Sequence, residues 1–109
     1  MLLAQNEKVL IVFRRLFESD IRQHFVGAVE FVTPIAARVR GYTFLYDVDS
    51  GKFVRKANEA VRVIPLGESS VLISVLPNSV EPKRIVYKSD AQHQLVITDN
   101  LEFSQSMVE

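Results

Sequence analysis

Residues 24–51 read HFVGAVEFVTPIAARVRGYTFLYDVDSG, two long strands and the turn into a third. In the second half, the odd positions Ile35, Ala37, Val39, Gly41, Thr43 and Leu45 are mostly small or aliphatic. The even positions Ala36, Arg38, Arg40, Tyr42, Phe44 and Tyr46 carry two arginines followed by three aromatics. Side chains alternate across a strand, so this pattern sorts into two faces. A helix would scatter the same residues around its circumference and bury the arginines beside the aliphatics. Pro34 lacks an amide hydrogen and suits the turn before the strand. Residues 47–51, DVDSG, form a short loop with glycine available for a positive φ, and residues 52–55 begin the return strand.

Working outward, residues 24–32 form the strand before this hairpin, and Gly27 within it predicts a bend or a close backbone approach. Residues 9–13 are continuously apolar and β-branched, which favours a strand over 8–13. Val9, Val12, Phe13, Leu16 and Phe17 also keep i, i+3, i+4 spacing, so periodicity supports a helix over the same stretch. A short N-terminal helix over 18–23 follows, with Ser19 as its N-cap. Further strands are expected at 60–66 and 71–76. The second, VLISVL, is apolar on nearly both faces, as in a central or interface strand. Residues 77–82 break the sheet with a tight turn of 3₁₀ type. Residues 84–88 and 95–98 form a last pair, and Leu101 and Phe103 anchor the tail. Short strands separated by turn signals predict an all-β domain.

A chain of 109 residues with 48% hydrophobic and 24% charged residues fits one globular domain over 1–109 and excludes a disordered chain. Thirteen basic and thirteen acidic residues cancel, so no global field holds a polyanion, and low net charge favours self-association. The absence of cysteine excludes disulfides, thiolate metal sites and cysteine nucleophiles. The apolar run 9–13 is far shorter than the ~20 residues of a membrane-crossing helix. A cytoplasmic protein with no membrane association is therefore expected.

No catalytic constellation is present, and the expectation is a non-enzyme without cofactors. His24 at a strand start and His93 in a polar loop read as ordinary surface histidines, because no nucleophile turn accompanies either. Asp47-x-Asp49-x-Gly51 resembles the opening of a calcium loop but lacks the later ligands, so these aspartates, like Asp99, read as turn formers. The four glycines stand singly, which excludes a phosphate-binding loop. The candidate binding site is the row Arg38, Arg40 and Tyr42. Arginines there contact phosphates and rings stack on unpaired bases, as in single-strand-binding β modules. Two other readings of that face compete: a second core face, or a subunit interface. Leu72, Ile73, Val75 and Leu76 are the candidate oligomer interface.

The bent strand with Gly27, the long hairpin, the apolar strand and the tight turn before a further strand resemble an Sm-like small β-barrel over residues 19–88. Phe25-Val26-Gly27-Ala28-Val29 is similar to the family's first strand, and the turn at 77–82 to its 3₁₀ turn. The family's uracil-pocket signature has no match, and Arg40-Gly41 lies in a different strand from its Arg-Gly pair. The resemblance implies a small, strongly bent open barrel that forms homo-oligomers by edge-strand pairing and binds single-stranded RNA. The competing expectation is a structural or protein-interaction domain with no nucleic-acid role.

Overall fold

The computed structural model describes residues 3–15, 17, 19–67, 71–89, 92, 95–101 and 103–106. Over these residues the chain is all-β. It contains β1 (Lys8–Phe13), β2 (Gln23–Val32), β3 (Ala36–Asp47), β4 (Lys52–Arg55), β5 (Ala60–Pro65) and β6 (Val71–Leu76). A 3₁₀ turn at Pro82–Arg84 leads to β7 (Val86–Ser89), β8 (Leu95–Thr98) and β9 (Ser104–Ser106). The alternation read in residues 35–46 thus becomes β3, and the two-sided apolar run 8–13 becomes β1.

β1 is a strand because it lies between two partners. It pairs antiparallel with β2, Val9 opposite Gly27, and with β6, Val9 opposite Val75. Val9, Leu10 and Ile11 are all buried, so this segment has no polar side, and its helical spacing is a coincidence of composition. The helix expected over 18–23 does not form. Gln23 already belongs to β2, paired with Phe13, and Phe17 and Asp20 close a turn through the Asp20 amide to the Phe17 carbonyl, 3.0 Å. Glu18 lies outside the described residues. Phe17 and Ile21 are exposed, so a helix here would lack the buried face from which short helices draw their stability.

The large sheet runs β4-β3-β2-β1-β6, with β5 also paired to β3. β3 is long enough to hold two partners on the same side. Its first half, from Ala36 to Gly41, pairs with β5, and its last four residues pair with β4. A second sheet, β7-β8-β9, is separate, and neither sheet closes into a barrel. The run 71–76, read as a central or interface strand, is an edge strand of the large sheet bonded to β1 alone among the described strands.

Both faces of the large sheet are buried. On one, Leu10, Val26, Phe44, Phe53 and Leu76 pack with Val80 and Ile85, which flank the 3₁₀ turn, and with Tyr87 and Ile97 from the second sheet. On the other, Val9, Ile11, Phe25, Val29, Val39 and Ile64 form a second cluster, lined by Val71 and Ile73. β5 and β6 sit at opposite ends of the sheet yet contribute to this same cluster, so the sheet bends strongly around it.

Two glycines permit that bend. Gly27 faces Gly41 across the β2–β3 ladder. A Cβ on Gly41 would fall against the Val26 carbonyl and 2.5 Å from the Gly27 Cα. The close approach expected at Gly27 is present, and Gly41 shares it. A register shift between Val29 and Phe31 adds a β-bulge at the far end of the same strand.

Candidate functional site

The outward row of β3 changes character along its length. Arg38 is exposed, while Arg40, one repeat on, is held by two carboxylates. Its Nε donates to Glu30 at 2.6 Å and its Nη1 lies 3.4 Å from Glu59. The hydrogen bond to Glu30, then its charge, push the guanidinium above its usual range. Tyr42 is half-buried under the Arg55 guanidinium, 5.0 Å from the ring centre. Arg55 is itself tied to the Lys83 carbonyl. Arg40 and Tyr42 line a groove of about 390 Å³ with Lys8 and Lys83, alongside Glu30, Glu59 and Glu81. Phe44 is fully buried and Tyr46 half-buried, so the aromatic end of the row packs against the second sheet.

Beneath that end lies a cluster that the sequence reading missed. His24, read as a surface residue, is only 7% exposed. Its Nδ1 shares a 2.6 Å hydrogen bond with the Tyr87 hydroxyl, and its ring stacks on Phe53 with centroids 4.1 Å apart. Burial, then the positive charge of Arg22, lower its pKa from 6.5 to about 4. Burial likewise raises Tyr87, so imidazole and phenol are both neutral at neutral pH. One local signal pointed to this position: His24 shares strand parity with the buried Val26. Its partner is 63 residues away, beyond the reach of any spacing rule. His93 lies outside the described residues.

Beside His24 a cavity of about 470 Å³ opens between the large sheet and the second one. Leu10, Val12, Phe53, Leu72 and Leu95 give it apolar walls, and Arg15, Arg22, Ser74 and Gln105 add polar groups. Arg22 lies over the Tyr46 ring at 5.5 Å.

The four candidate interface residues split by burial, each pair straddling both faces of β6. Leu72 and Val75 are exposed, at 66% and 52%. Ile73 packs into the second core cluster, and Leu76 is buried in the first. The turn aspartates hold their own loops: Asp47 accepts from the Asp49 amide at 3.1 Å, and Asp99 from the Leu101 and Phe103 amides. Among the described residues no group of three or more His, Asp or Glu side chains is placed to hold a metal, and no helix is long and apolar enough to cross a membrane.

No family model matches this chain, and neither curated proteins nor solved structures include a significant match to it.

Proposed function

We propose that this chain is a non-catalytic assembly module of the strongly bent, open-barrel kind that resembles Sm-like proteins. In this reading it self-associates through the free edge of β6. The observation that carries it is the composition of that edge. β6 reads VLISVL, bonds on one side to β1, and offers Leu72 and Val75 to solvent with no charged residue in the strand. Edge strands of monomeric sheets are guarded by lysine, proline or short length, because an open ladder recruits another strand. At the other end of the sheet β5 pairs with β3 alone among the described strands and exposes Val61 and Val63. Two unlike open edges on one chain favour head-to-tail pairing, which closes into a ring when the rotation allows. The Gly27–Gly41 approach and the 3₁₀ turn before β7 support the architectural likeness.

Light scattering on a sizing column tests this. Wild type is expected to elute as a defined oligomer, and Leu72→Lys with Val75→Lys as a folded monomer. A wild-type monomer at every concentration overturns the assembly reading.

Single-stranded RNA along Arg38, Arg40 and Tyr42 is the second reading, supported by the exposed Arg38 and the neighbouring groove. The two glutamates on Arg40 weigh against it, so assembly is the conclusion. Absorbance at 260 and 280 nm in the same run reads nucleic acid directly, and an Arg38→Glu, Arg40→Glu double variant should abolish any such signal. Binding through that row would also weaken steeply with salt.

A further inference from the structure

The β2–β3 hairpin ends in a tip that the two cores leave bare. β1 stops short of it: its last partner on β2 is Ala28, so residues 30–32 lie beside β3 alone among the described strands. The tip reads FVTPIAA over 31–37, and the end of β5 next to it reads VIPLG over 63–67, with no charged residue in either. Glu68 lies outside the described residues. Val32, Ala37, Ile64 and Leu66 turn inward to the second core cluster and anchor the tip from beneath. Phe31, Ile35 and Val63 face solvent, at 58%, 76% and 66% exposure.

The backbone of the turn is closed on itself. The Thr33 amide donates to the Ala36 carbonyl at 2.8 Å, and Thr33 Oγ1 accepts from the Ile35 and Ala36 amides. Pro34 has no amide hydrogen, so every amide hydrogen from Thr33 to Ala36 has an internal acceptor. The Ile35 carbonyl accepts from the Leu66 amide. A segment that leaves water for lipid must satisfy its own polar backbone, because nothing there replaces water as a partner. Arg38 stands behind the tip, opposite Phe31 on β2 and Val63 on β5, so the three share one side of the sheet. Arg40 holds Glu30 and Glu59, whereas Arg38 is exposed with no ion-pair partner among the described residues. We propose that this tip docks on a phospholipid surface, with Phe31 and Ile35 entering the acyl boundary and Arg38 meeting head-group phosphates at the rim. Such a contact lies on the bilayer and does not cross it. A protein partner would need a concave groove shaped to this projecting turn, while a fluid interface conforms to it. Strand pairing at the β5 edge runs in the plane of the sheet, and Phe31 and Val63 stand off its face, so assembly leaves them open.

The chain has no tryptophan, so a Phe31→Trp variant places a single fluorescent probe at the tip. Its emission is followed as vesicles of phosphatidylcholine and phosphatidylglycerol are added. A saturable blue shift is expected, together with co-sedimentation of the wild-type chain with the vesicles. Ile35→Asp should weaken binding about tenfold or more, and Arg38→Gln by a smaller factor, with urea midpoints unchanged. The same shift is expected with Leu72→Lys and Val75→Lys also in place, which separates this inference from assembly. Absence of both shift and co-sedimentation, or binding indifferent to Ile35→Asp, overturns the proposal. A blue shift that grows with protein concentration in the absence of vesicles marks the tip as a protein contact and overturns it as well.

Discussion

Acidification provides a direct probe of the buried histidine. In the native chain His24 lies between Phe53 and Tyr87, and burial together with Arg22 lowers its pKa to about 4, against 6.5 in the unfolded chain. Between those values the unfolded chain binds a proton that the folded chain does not. Stability from this group is therefore complete above about pH 6.5 and is lost as pH falls toward about 4. At about 1.36 kcal/mol per pH unit the ceiling is about 3.4 kcal/mol. Because the ring borders the cavity, solvent screening reduces the expectation to about 1–2 kcal/mol. Urea unfolding followed by circular dichroism across that window gives the measurement. Carboxylates titrate in the same range, so the readout is the difference between wild type and His24→Phe, which preserves an aromatic ring against Phe53 but does not titrate. The wild-type curve should fall more steeply by that amount. Parallel curves for wild type and His24→Phe would refute the assignment.

Two further stability comparisons test the sheet. Gly41→Ala should cost about 2–4 kcal/mol, because its Cβ would meet the main chain of β2, whereas Gly51→Ala, at φ 70° with open space around it, should cost only about 1 kcal/mol. Equal costs in urea unfolding would mean that the β2–β3 approach is not tight. Phe44→Ala and Val39→Ala, on opposite faces of β3, should cost about 3–5 and about 2 kcal/mol respectively. A loss below about 1 kcal/mol for Phe44→Ala would show that the aromatic face of β3 is not core.

Much of the strand inventory was legible in the chain. The alternation of residues 35–46, the DVDSG loop and the lone Gly27 each predicted a local feature that is present. The helix expected over 18–23 failed because the N-cap signal at Ser19 concerns one backbone turn and says nothing of whether Phe17 and Ile21 find a surface to bury against. The candidate site was less legible. Alternation correctly grouped Arg38, Arg40, Tyr42, Phe44 and Tyr46 on one side of a strand. It could not distinguish an exposed Arg38 from an ion-paired Arg40 or a buried Phe44.

The sequence by itself determined that the chain is built of strands, where most of them begin, and which side chains share a face. Those properties follow from backbone geometry that repeats every two residues. The tertiary structure decided what each face meets. It brought Tyr87 to His24, Glu30 and Glu59 to Arg40, and β6 to an edge with Leu72 and Val75 outward. Burial, charge neutralisation and open edges arise between segments far apart in the chain, and a local period carries no information about them.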